Sequence, residues 1–215
     1  MPYNCCEITD RAFSEAEARA ELKDYRKRGP AKQTKLLLQA IRSMDFKNAH
    51  LLDIGGGIGA IHHELLKDVA DQATHVDASS AYLKEAKQEA ARLGHRDRVN
   101  FIHADFTDVA SEFPKADIVT LDRVVCCYPD FRGLLKAAAE HSRRALALTY
   151  PRETWYLRIA EKVINFFQGL QKDPFRMFLH PVAEIDSLLK KEGFERVSFR
   201  RLFVWEMALY RRIAP

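Results

Sequence analysis

Four short segments of this 215-residue sequence hold residue types that could do chemistry together. The first is Leu51-Leu52-Asp53-Ile54-Gly55-Gly56-Gly57-Ile58-Gly59, an apolar run that ends in closely spaced glycines. Glycine tolerates a positive φ and carries no Cβ, so such a turn lets backbone approach a ligand closely. About one helix later Asp77-Ala78 closes the next apolar run, where a carboxylate can accept both hydroxyls of a ribose. Asp105-Phe106 follows a third run and places an acid and a ring where a flat heterocycle with an amino edge would lie. Asp122-Arg123 ends a fourth. Any one of these aspartates would pass as a helix cap; the set in register is what points to a ligand.

The elements that must position them alternate. Ala49–Ile54, Thr74–Asp77, Val99–His103, Asp117–Leu121 and Ala145–Thr149 read as short buried strands. Helices are expected from the glycine loop to about Ala70, from Ser79 or Ser80 to Leu93, and over Phe131–Ser142. Phe194–Phe203 and Val204–Arg211 read as a closing antiparallel hairpin. The fold class is therefore α/β: a doubly wound, mostly parallel seven-stranded sheet with a terminal antiparallel hairpin and a helical N-terminal cap. The cap starts at Ser14-Glu15-Ala16-Glu17, a capping box that opens a helix to about Arg28, and continues in a second helix over 31–44. One domain is expected, divided into the cap (1–44), a cofactor-binding core (45–150), a helical insertion or lid (151–181) and the terminal helix with its hairpin (182–215).

Gly55-x-Gly57-x-x-Ala60 also fits the dinucleotide fingerprint, so a nicotinamide or flavin must be weighed. Three features speak against it. Asp53 would face a diphosphate with like charge, Asp105-Phe106 suits an adenine edge and ring, and a hairpin closes the chain where a sixth parallel strand would be expected. Asp53-x-Gly55-x-Gly57-x-Gly59, Asp77, Asp105-Phe106 and Asp122 together resemble the class I S-adenosylmethionine-dependent methyltransferases, over roughly residues 31–212. The resemblance implies S-adenosyl-L-methionine as cofactor. It puts Gly55, Gly57 and Gly59 under the methionine part and ribose, Asp53 near the amino group, and Asp77 with Ala78 at the ribose. It puts Asp105 and Phe106 at the adenine, and Asp122 and Arg123 at the methionine end. The small-molecule type is implied, with a looser likeness to the magnesium-protoporphyrin methyl-ester-forming enzymes. An NAD-dependent oxidoreductase and a non-catalytic cofactor-binding scaffold are the rival readings.

Methyl transfer needs a nucleophile held about 3 Å from the methyl carbon, and a phenol or amine acceptor gains from a general base. Tyr128, His180 and Tyr150 are the candidates. No Asn/Asp-Pro-Pro-Tyr/Phe follows the fourth strand, which disfavours planar amide and exocyclic amine acceptors, and no carboxylate set for a catechol-type magnesium site is legible, so no metal is expected. A small aromatic or lipophilic acceptor, methylated on oxygen, is the expectation. Residues 153–171 read as a long helix with a broad apolar face of Trp155, Ile159, Val163, Phe166 and Phe167. Packing onto the sheet is the first expectation for that face; a lid or a surface touching lipid is the second, since Arg158 and Lys162 lie on the same helix.

Composition bounds the rest. Lys plus Arg number 34 against 30 Asp plus Glu, and residues 151–215 hold 12 basic and 8 acidic side chains, which is the whole excess of +4. No dense basic stripe of the kind that binds nucleic acid results, and Lys23–Lys35, with six Lys or Arg against Asp24, reads as a solvated helix face. No apolar run approaches the ~20 residues of a membrane span, and the first residues lack the pattern of a secretory signal. A cytoplasmic protein with a small-molecule substrate is expected. Cys5-Cys6 and Cys126-Cys127 read as reduced thiols.

Overall fold

The computed structural model describes residues 5–171 and 173–213. Seven strands form one sheet: β1 (Ala49–Ile54), β2 (Ala70–Asp77), β3 (Val99–His103), β4 (Ala116–Asp122), β5 (Ser142–Pro151), β6 (Phe194–Arg201) and β7 (Trp205–Arg212). Their order is β3-β2-β1-β4-β5-β7-β6, parallel through β5, with β7 antiparallel to both β5 and β6. The strands thus start in the middle of the sheet, run outward to β3, return to β4 beside β1, reach the other edge at β6 and end with β7 inserted between β5 and β6. The reversal between β1 and β4 leaves a crevice at the strand C-termini, where ligands bind in open α/β sheets.

Helices cover both faces. They are α1 (Cys5–Ala12), α2 (Glu15–Arg28), α3 (Lys32–Arg42), α4 (Ala60–Leu65), α5 (Ser80–Leu93), α6 (Phe106–Val109), α7 (Phe131–His141), α8 (Trp155–Leu170) and α9 (Val182–Lys191). On one face Leu37, Leu38 and Ile41 of α3 and Ile61 and Leu65 of α4 pack over Leu51, Ile118, Ala147 and Leu209. On the other, Leu134, Leu135 and Ala138 of α7 and Ile185 and Leu189 of α9 cover Leu52, Val119, Leu121 and Leu148. Because the central parallel strands β1, β4 and β5 are buried on both faces over most of their length, they read as continuous apolar runs.

The capping box holds as expected: Ser14 Oγ accepts from the Glu17 N–H, and Glu17 reaches back to the Ser14 N–H at 2.8 Å. Three local expectations need correction. The helix after the glycine loop ends at Leu65, because 70–73 are taken by β2, which pairs along Ala49–Ile54. α1 and the one-turn α6 lie where no helix was expected. The apolar face of α8 does not pack onto the sheet: no residue of that helix is buried, and Trp155 and Leu170 remain 75% and 65% exposed. Among the described residues no helix is long and apolar enough to cross a membrane.

Candidate active site

A cavity of about 180 Å³ opens at the C-terminal ends of β1, β2 and β4. Its floor is the glycine turn. Gly55 has φ +60°, and a Cβ there would stand 2.5 Å from Val124 Cγ2, so this position admits only glycine without a shift of the facing loop. Gly57 also has a positive φ, and its N–H donates to Asp77 Oδ2 at 2.8 Å. The second Asp77 oxygen accepts from the Ser79 N–H at 2.8 Å. Burial pushes the Asp77 carboxyl up to about 6, against the pull of these two N–H groups. The turn and the carboxylate therefore shape one another, and Asp77 and Ala78 both line the cavity.

Asp122 ends β4 and also lines the cavity; Thr34 and Thr149 donate their hydroxyls to its two oxygens, and burial raises its pKa. Arg123 adopts φ +64°, a left-handed conformation that costs a non-glycine residue about 1 kcal/mol or more. It is held there by its N–H, which donates to Thr149 Oγ1 at 2.9 Å. Its guanidinium turns to Glu21 of α2 at 2.6 Å, and Glu21 also accepts from Tyr82 Oη at 2.9 Å. This latch brings α2 over the crevice, and Thr9, Phe13, Glu21 and Tyr82 join the cavity wall. Their part in the site carried no signal in the sequence beyond the capping box that opens α2.

Phe106 lines the cavity, 1% exposed, whereas Asp105 caps α6 through the Thr107 N–H and is not among the lining residues. Tyr128 Oη donates to that same Asp105 carboxylate at 2.7 Å, so the Tyr128 ring closes the cavity beside Phe106. Asp53 lies beneath the glycine turn, fully buried, accepting from Thr120 Oγ1 at 2.7 Å, with His62 Nδ1 3.3 Å from its other oxygen. Gly59 starts α4 below the loop and does not line the cavity. Two of the three base candidates sit elsewhere. His180 donates through Nε2 to the Tyr128 and Val125 carbonyls at 2.9 and 3.1 Å and stacks on Phe131, and burial lowers its pKa. Tyr150 is 2% exposed inside the core. Neither lines the cavity. Cys6 and Cys126 are free thiols, and the Cys126 and Cys127 sulfurs lie 4.0 Å apart; the Cys5 side chain lies outside what is described.

Residues 51–145 match the methyltransferase domain family. The match runs from β1 into β5 and covers a little under half of the chain. A 3-amino-4-hydroxybenzoate 4-O-methyltransferase of Streptomyces cremeus is 31% identical to it over 104 residues, which are 48% of this chain and 27% of that relative. The chain thus spans about a quarter of the curated relative it matches. The domain's fold superposes on magnesium protoporphyrin IX methyltransferase from Synechocystis PCC 6803 with bound S-adenosylhomocysteine: TM-score 0.67, 21% identity, 84% of this chain and 82% of that one. An O-methyltransferase family 2 protein from Planctomyces limnophilus DSM 3776, in complex with apigenin, matches with TM-score 0.67 and 17% identity over 93% of this chain and 62% of that one. The likeness is one of fold: a seven-stranded, mostly parallel sheet with terminal antiparallel strands, as in Rossmann-like methyltransferases.

Proposed function

We propose that this protein transfers a methyl group from S-adenosylmethionine to a small aromatic or lipophilic acceptor, on oxygen. Asp77 carries the reading: a buried carboxylate at the cavity wall whose direction is set by the Gly57 and Ser79 N–H groups, with lone pairs left for a pair of hydroxyls. The charges around it fit the same ligand. Among the cavity-lining residues Glu21, Asp77 and Asp122 are acidic, and the single lining cation, Arg123, is paired with Glu21. That balance suits a sulfonium better than a diphosphate. Phe106 and Tyr128 supply flat walls for an adenine.

The bound cofactor would supply an electrophilic methyl carbon on a positively charged sulfur. The protein's part is to hold the two ligands in line. Asp77 would fix the ribose, Phe106 and Tyr128 the base, and the Glu21–Arg123 latch would keep α2 over the cavity and water out of it. A carboxylate acceptor needs no base; a phenol must lose its proton. His180 and Tyr150 act here by positioning, His180 by holding the Val125–Tyr128 carbonyls and Tyr150 by filling the core. The missing Asn/Asp-Pro-Pro motif and the aromatic ligands named for the two O-methyltransferase relatives support oxygen over nitrogen. The exposed apolar face of α8 supports a lipophilic partner over a polar one.

Calorimetric titration with S-adenosylhomocysteine and, in parallel, NAD tests the reading. Micromolar binding of the first alone, weakened at least tenfold in Asp77→Ala, is expected. Preference for NAD, or S-adenosylhomocysteine binding that Asp77→Ala leaves unchanged in a folded protein, would overturn it.

A further inference from the structure

Beneath the glycine turn three fully buried side chains meet. The sheet register puts two of them together: Asp53 of β1 is the pairing partner of His75 of β2 and, on its other side, of Thr120 of β4. The third, His62, comes down from α4. Their burial is complete, at 0% exposure for Asp53, His62 and His75 alike. His62 Nδ1 lies 3.3 Å from Asp53 Oδ2 and 3.1 Å from His75 Nδ1, and all three ligand atoms fall within 4.8 Å of one another.

We propose that Asp53, His62 and His75 bind a divalent transition-metal ion, zinc above all. Hydrogen bonding alone does not satisfy this arrangement. A neutral ring nitrogen either carries a hydrogen or offers a lone pair. If His62 Nδ1 donates to Asp53, no linear donor is left for its contact with His75; if His75 donates to His62, Asp53 Oδ2 loses its imidazole partner. A cation accepts all three lone pairs at once. The two separations that involve His62 agree, since nitrogen and oxygen ligands about 2.0–2.1 Å from a tetrahedral zinc stand about 3.3–3.4 Å apart; the third pair, His75 Nδ1 and Asp53 Oδ2, lies within 4.8 Å. Two imidazoles and one carboxylate are a zinc-type set, where magnesium or calcium would call for oxygens alone.

Gly56 gives the site its opening. A Cβ at that position would lie 2.7–2.8 Å from the His75 ring and Asp53 Oδ2, so only glycine leaves space above these atoms. A hollow of about 30 Å³, lined by Asp53 and Gly56 and shared with the candidate active site through Glu21, Asp122 and Arg123, adjoins Asp53, with room for a water as fourth ligand. Neither His62 nor His75 lines the larger cavity, so the ion would act by tying β1, β2 and α4 together under the turn.

Chelator-treated wild type, titrated with Co²⁺, tests this. One equivalent is expected to raise the visible bands of tetrahedral cobalt, to be displaced by Zn²⁺, and added Zn²⁺ is expected to raise the melting temperature. His62→Leu and His75→Leu are expected to lose the bands and the shift; His63→Leu, a buried neighbour outside the set, is expected to keep both. No bands and no shift in wild type would overturn the site without any variant having to fold. So would bands that persist in folded His62→Leu and His75→Leu proteins. S-adenosylhomocysteine titrated into the same samples separates the two readings, because its binding in a protein that takes no metal would remove the metal site alone.

Discussion

Replacing Glu89 by Gln probes what docks the cap. Glu89 of α5 has a fully buried side chain and accepts from Arg26 of α2 at 2.9 and 2.6 Å and from Arg92 at 2.8 and 2.6 Å. The hydrogen bonds from Arg92, then those from Arg26, hold its carboxyl down at about 2 against an ordinary 4.5. A gap of that size corresponds to about 3 kcal/mol. Both arginines are near half exposed, at 44% and 52%, so solvent screening brings the expected loss to about 2 kcal/mol. The sign follows from linkage. A depressed folded-state pKa stabilises fully above the unfolded value and the stabilisation fades as pH falls from 4.5 toward 2. Urea unfolding of wild type and Glu89→Gln should therefore differ by about 2 kcal/mol at pH 7, with most of that difference gone by about pH 3. Arg26 shares α2 with Glu21, so the variant should also bind S-adenosylhomocysteine more weakly at neutral pH. A difference under about 0.5 kcal/mol at pH 7, or one that does not change between pH 7 and pH 3, would refute the reasoning.

Four further outcomes are expected. Gly55→Ala should cost about 2–4 kcal/mol in urea unfolding, from its φ of +60° and the contact with Val124, and Val124→Ala in the same protein should recover part of that loss. Tyr128→Phe removes the bond to Asp105 and should weaken S-adenosylhomocysteine binding up to about tenfold by calorimetry while leaving the pH–rate profile of turnover in place; a changed profile would make Tyr128 a base. His180→Leu frees the Val125 and Tyr128 carbonyls and should lower the melting temperature and cofactor affinity together, whereas a fall in kcat alone would point to catalysis. Trp155→Ser with Phe166→Ser, at sites 75% and 62% exposed, should leave stability within about 0.5 kcal/mol by urea unfolding yet lower kcat/KM for a lipophilic acceptor.

Much of the architecture is legible residue by residue. The apolar runs mark the parallel strands because β1, β4 and the inner parts of β2 and β5 are buried on both faces and need no polar alternation, whereas β3 at the edge is only partly buried. Gly55, Gly57, Asp77 and Asp122 could be placed because a turn with positive φ and a carboxylate at a strand end leave local signatures. Strand and helix limits after Ile58 were less legible, since Ala70–Ala73 become strand only by pairing with β1.

What tertiary structure alone decided is which side chains meet. Asp53, His62 and His75 have no motif spacing; the sheet register and the descent of α4 bring them together. His180 and Tyr150 carry the functional groups of catalysts, and only the packing shows one holding loop carbonyls and the other inside the core. The stripe on α8 has the pattern of a buried face, and periodicity records that a face is apolar without recording what covers it. Local sequence thus determines backbone conformation and the chemistry available, because those depend on a few neighbouring residues; which groups share a site depends on contacts between residues far apart in the chain.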